Sequence, residues 1–172
     1  MNEDLRSFYA QVKGSRERVF AWAQRLPPEV YTSERADFAY GSLRNIQAHV
    51  ADCYLGWVGE GGLGLPEAEL ETERAALTDV AAMRSRFAQV DAVVERALSE
   101  FTDLDAPLLI PHRGDTLEVT RRWLLLHPFT HEFHHKGQLL ALGRVLGHPY
   151  PPGPTPTCCC RLRSDTALNE TP

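Results

Sequence analysis

The chain has 172 residues, 43% hydrophobic and 24% charged, which is the make-up of one globular domain with room for a proper core. A net charge of −5 with no basic stripe argues against a nucleic-acid-binding scaffold. No run approaches the roughly 18 apolar residues that suggest a membrane span, and the opening MNEDLRSFYAQ lacks the charged-then-apolar layout of a signal peptide.

Four amphipathic segments follow in chain order. In the first, Leu5, Phe8, Tyr9, Val12, Val19, Phe20, Ala23 and Leu26 recur at helical spacing and stop before Pro27 and Pro28. The second starts at Ser42, a residue type suited to an N-cap, and carries Leu43, Ile46, Val50, Cys53, Tyr54 and Trp57 on one face. The third, from about Thr78-Asp79, turns Val80, Met83, Phe87, Val90, Val94, Ala97, Leu98 and Phe101 inward. The fourth begins near Thr120 and runs through Leu124, His131, His135, Leu139, Leu142 and Val145 to Gly147.

This pattern predicts an all-α four-helix bundle over residues 1–148. The connections are long, at 27–41, 59–76 and 102–119. In the last of them, Leu108-Leu109-Ile110 and Leu117-Glu118-Val119 flank Arg113-Gly114-Asp115, which predicts a short hairpin or an extended flap. Pro128 leaves the carbonyl of Leu124 without an N–H partner; it either kinks the fourth helix or marks its true start.

From Pro149 the composition shifts to PYPPGPTPTCCCRLRSDTALNETP, so 149–172 is expected to be an irregular, extended or disordered tail. Cys53 stands alone and Cys158, Cys159 and Cys160 are adjacent, a layout that is no secreted disulfide framework and fits a reducing cytoplasm. The cysteine triplet lacks partner ligands at metal-site spacing and reads as incidental.

Chemistry concentrates in His131-Glu132-Phe133-His134-His135-Lys136-Gly137-Gln138. Two histidines four residues apart on a helix point the same way and can converge on one metal ion. His127, His131 and His135 fall within about 80° of arc on a helical wheel, shared by Leu124, Gln138 and Leu142. A single buried histidine is usually a hydrogen-bonded core residue. Three unpartnered imidazoles on one stripe would be costly, which favours metal binding.

Two ligands hold a metal poorly, and His49 sits on the apolar face of the second helix, between Ile46 and Cys53. It is the best candidate for a third ligand, and three histidines plus water is the open arrangement of a reactive site. Cys53 reads as a fourth ligand or a small core residue; Asp52 and Asn45 could orient His49 or simply face solvent.

The same run satisfies HExxH, in which Glu132 would be a protease general base. A protease needs a third ligand downstream, where His148, Asp165 and Glu170 all lie at or beyond the helix end. The extended HExxHxxGxxH form fails, with Gln138 and Ala141 in the required positions, and Glu132 projects about 100° away from His131. Other matches are weak. Gly59 to Gly64 fits GxGxxG but follows a helix and precedes Pro66, Arg113-Gly114-Asp115 is a chance tripeptide, and Asn169-Glu170-Thr171 is a sequon without a secretory route.

His131-x-x-x-His135-Lys136-Gly137-Gln138, with the upstream Leu126-His127 and a histidine in the middle of helix two, resembles the HxxxH-[RK]-G-Q signature of the DinB/YfiT-like family over about residues 1–150. The resemblance implies a four-helix bundle, commonly a homodimer, with a divalent metal on His49, His131 and His135. Relatives of this kind act as transferases or isomerases that use bacillithiol, mycothiol or glutathione.

The expectation is therefore a cytoplasmic metalloenzyme, a thiol-dependent S-transferase acting on an electrophilic small molecule in stress or detoxification, with Zn²⁺ or Ni²⁺ as cofactor. Metal coordination would deprotonate a thiol whose free pKa is about 8.5. Arg44, Lys136 and Arg113 are candidates for holding anionic groups of the thiol. The alternatives are a metal-dependent small-molecule hydrolase, or a non-catalytic stress protein in which the metal is a structural brace or sensor.

Overall fold

The computed structural model describes residues 2–112 and 114–152. Arg113, Cys158 to Cys160, Asp165, Glu170 and the sequon at Asn169 lie outside the described residues, as does most of the 149–172 tail.

The elements are α1 (Glu3–Ala23), α2 (Pro28–Thr32), α3 (Leu43–Tyr54), α4 (Glu67–Leu70), α5 (Val80–Glu100), β1 (Pro107–His112), β2 (Asp115–Thr120) and α6 (Arg121–Val145). Helix α1 buries Leu5, Tyr9, Val12, Arg16 and Val19, three or four residues apart, and carries Glu3 and Asp4 where the helix dipole favours acids. Asn2 ties this start to the end of α5 by donating from Nδ2 to the carbonyls of Leu98 and Phe101. Three helices begin at side-chain caps. Ser42 accepts from the Asn45 amide, Asp79 from Ala82 and Thr120 from Trp123. Helix α6 runs unbroken through Pro128 from Arg121, so this proline does not mark its start.

Helix α3 packs on α5 and α6, and α1 packs on the same two helices. The core between them includes Tyr9, Phe20, Ile46, Tyr54, Met83, Val90, Phe129 and Leu142, all essentially inaccessible to solvent. No helix among the described residues is long and apolar enough to cross a membrane.

Two features depart from the sequence reading. First, the fold is mostly helical but not all-α: β1 and β2 form the antiparallel hairpin that is one of the two expectations for this connection, Pro107 opposite Thr120 and His112 opposite Asp115. Pro107 and Pro111 disfavour helix there, and Ile110, Thr116, Val119 and Thr120 are β-branched residues suited to strands; Gly114 takes the positive φ of +83° that the tight turn requires. Ile110 and Val119 bury against Leu124, with Trp57 packed beside them.

Second, α3 does not stop near Trp57 but continues as a π-helical stretch, Leu55–Gly62. Its glycines, read from sequence as a loop, allow close packing. A β-carbon on Gly62 would meet Phe101 at 3.0 Å and Leu124 at 3.3 Å. The wide turn thus carries Trp57 and Glu60 to the cavity that His49 and His131 also line.

Candidate metal centre

His49 projects from α3, and His131 and His135 from one face of α6; one nitrogen of each lies within 4.8 Å of those of the other two. The helix spacing accounts for the α6 pair, whose Nε2 atoms are 3.0 Å apart. Packing of α3 against α6 brings His49 in from the facing helix, with its ring centroid 4.7 Å from that of His135 and 5.1 Å from that of His131. The three residues singled out by their helix faces are therefore close enough to hold one metal ion.

The protonation states suit that role. Burial, and then the rings of His135, His49, His127 and His134, push the His131 imidazole down to about 4. Burial also lowers His49, reinforced by His135 and Arg74 and opposed by Asp52. His135 is lowered by burial and by His134, against an opposing bond to Gln138. Each ring is accordingly neutral near pH 7, the form in which histidine ligates a metal. His131 Nδ1 is buried with no hydrogen-bond partner among the described residues.

Two residues that sequence reasoning did not assign complete the surroundings. His135 Nδ1 lies 2.8 Å from Gln138 Oε1, an acceptor, so Nδ1 carries the proton and Nε2 keeps its lone pair for the centre. Gln138 in turn donates through Nε2 to His134 Nε2 at 3.2 Å. Tyr40, from the loop before α3, stacks on the His49 ring at 4.3 Å and puts its hydroxyl 3.0 Å from His49 Nε2.

The other flagged residues have different partners. Asp52 receives Arg74 and Arg86, and Asn45 bonds with Arg44 and Glu34, so neither holds the His49 ring. His127 stacks on Trp123 at 4.6 Å, outside the triad. Cys53 lines the same cavity as His49 and His131, its thiol pushed up to about 12 chiefly by burial, and it is not part of the three-residue group. Arg44 pairs with Glu34, and Lys136 donates to Ser15.

Glu132, the HExxH glutamate, faces the interior. It accepts from Arg16 Nε at 2.9 Å, Arg16 Nη2 at 3.0 Å and Tyr54 Oη at 2.7 Å. Arg16 also reaches Asp91 at 2.7 Å, and Asp91 accepts from Tyr9 at 2.6 Å. One polar network thus joins α1, α3, α5 and α6. Burial opposes the Arg16 charge, but the Glu132 carboxylate overrides it and holds Arg16 above its ordinary range. Burial and then Glu132 raise Tyr54. A carboxylate committed to a buried arginine and a tyrosine is a structural clamp and a poor general base.

A cavity of about 680 Å³ opens on His49 and His131, walled by Trp57, Ile110, His112 and His127. It gives a small molecule access to two of the three histidines.

The model of the DinB family matches residues 1–156. No curated protein matches the chain.

Proposed function

The chain belongs to the DinB family, and from that premise we propose that it is a metal-dependent enzyme that transfers a low-molecular-weight thiol to an electrophilic small molecule. The observation that carries this reading is the neutral histidine triad, two of whose members, His49 and His131, line a cavity of small-molecule size. His49, His131 and His135 would hold a divalent ion, with Zn²⁺ and Ni²⁺ best suited to the reaction, and the four long helices would act as a four-helix bundle around it. A bound ion of this kind lowers the pKa of a thiol and so supplies a thiolate at neutral pH.

The chain's own residues perform the rest. Gln138 fixes the His135 tautomer, and the three lowered imidazole pKa values keep lone pairs free where protons would otherwise compete. The π-helical stretch and the hairpin supply Trp57 and His112, stacked at 4.9 Å, as a wall against which the electrophile is held out of bulk water. Arg44 and Lys136 are not among the residues lining this cavity, so the thiol's anionic groups would be held by others. We take the working unit to be a cytoplasmic homodimer; light scattering on the purified chain checks the dimer.

The test is metal analysis followed by thermal shift with bacillithiol, mycothiol and glutathione. The reading expects one divalent ion per chain, lost in His49→Ala and His135→Ala, and a rise in melting temperature with one thiol only when metal is present. An intact metal site that answers to none of the thiols would overturn the transferase reading and leave water activation as its replacement.

A further inference from the structure

Among the described residues, Tyr40 is the aromatic residue stacked at the triad that comes from neither helix bearing the histidines. Its ring lies flat on His49, at 4.3 Å and 21°, and edge-on to His135 at 5.2 Å. Its hydroxyl stands 3.0 Å from His49 Nε2, the same separation as between the Nε2 atoms of His131 and His135. Donor atoms that share a tetrahedral ion at 2.0–2.1 Å each sit roughly 3.3 Å apart, so both contacts have the spacing of neighbouring ligands.

The backbone holds this placement against its own preference. Tyr40 has φ +62°, a conformation that an aromatic L-residue adopts only where its surroundings impose it. The imposing contacts are local. The Arg35 amide donates to the Gly41 carbonyl, Gly41 to Phe38, and Ser42 to Tyr40 itself, while Ser42 caps α3. Tyr40 nevertheless remains 39% exposed, so core packing does not explain why the loop aims its ring at the histidines.

We propose that Tyr40 is a fourth donor to the metal, its phenol oxygen joining His49, His131 and His135 at the centre. The proposal rests on the metal reading above. When the oxygen–metal bond forms, the phenol O–H bond breaks and its proton passes to solvent, so charge and atoms balance without a further reactant. Tyr40 sits on an exposed loop, so it is the donor that an entering thiol would replace, the thiol's proton returning the phenolate to phenol.

Copper(II) is the probe, because a phenolate bound to it gives a visible charge-transfer band that histidine ligands alone do not. The full-length chain is loaded with Cu²⁺, metal content is measured, and visible spectra are compared for wild type, Tyr40→Phe and His135→Ala, with circular dichroism as the check on folding. Tyr40→Phe keeps the stacked ring and removes only the oxygen. The expected result is one ion per chain in wild type and Tyr40→Phe, with the charge-transfer band present in the first and lost in the second. One bound ion with no such band in wild type, or with the same band in Tyr40→Phe, overturns the role of Tyr40 and leaves the histidine site standing. A folded wild type that retains no copper overturns both, and so separates failure of the metal reading from failure of the tyrosine.

Discussion

Gln138 accepts a hydrogen bond from His135 Nδ1 at 2.8 Å, and this contact decides which nitrogen of His135 is available to the triad. Replacing Gln138 with Leu keeps the helix and removes the acceptor, so the ring is free to turn and to shift its proton to Nε2. Loss of such an outer partner commonly weakens metal binding by about 10–100-fold. Competition with a coloured chelator should show a drop of that size in Gln138→Leu with an unchanged melting temperature for the metal-free protein. Equal affinities in the two proteins would remove Gln138 from the site.

Acid should destabilise the metal-free protein through the same histidines. The folded-state pKa of His131 is about 4 against an ordinary 6.5, and those of His49 and His135 are also lowered. Between those limits the unfolded chain binds more protons than the folded one, so stability rises with pH. The contribution is fully present above 6.5 and is lost as pH falls towards 4. Urea midpoints of the metal-free protein across this range should therefore fall with acid, and His131→Gln should fall less steeply than wild type. Parallel curves would show that His131 is not held neutral by its surroundings.

The clamp on Glu132 predicts a stability effect with no loss of ligand. Glu132 and Arg16 are 9% and 5% exposed, and deleting one partner strands the other as a buried charge. Breaking such a pair costs about 3–5 kcal/mol, whereas replacing both members by apolar residues often costs far less. Glu132→Ala should lower the unfolding free energy in that range, and the Arg16→Met, Glu132→Leu pair should recover much of it. If chemical denaturation shows Glu132→Ala to be as stable as wild type, the network does not bind the four helices together.

The sequence made one half of this architecture legible and hid the other for physical reasons. Period-3.6 apolar faces located the four long helices, Ser42, Asp79 and Thr120 marked starts, and the four-residue spacing of His131 and His135 fixed their common direction. His49 was readable because it interrupts an apolar stripe. Glu132 was not, since its place at the edge of the inward face becomes interior only when Arg16, 116 residues earlier in the chain, reaches across. Tyr40 lies on a loop whose left-handed turn no periodicity announces. The glycines from Gly59 to Gly62 looked like a loop, because the π-helical path depends on neighbours from α5 and α6 that lie far along the chain.

Two glycines of α6 should respond to alanine with opposite signs. In a helix interior, alanine is ordinarily better than glycine by about 1 kcal/mol. Gly137 has nothing within 4 Å of where its β-carbon would stand, so Gly137→Ala should gain roughly 0.5–1 kcal/mol. At Gly143 the added carbon would lie 2.5 Å from two atoms of the Trp22 ring and 3.2 Å from the His148 carbonyl. Trp22 is 3% exposed, so its ring has no solvent side to move into, and forcing a methyl into such packing costs about 1–3 kcal/mol. The overlap outweighs the propensity gain, and Gly143→Ala should melt below wild type while Gly137→Ala melts above it. If both variants melt above wild type, α1 and α6 do not approach as closely at Trp22 as the structure has them.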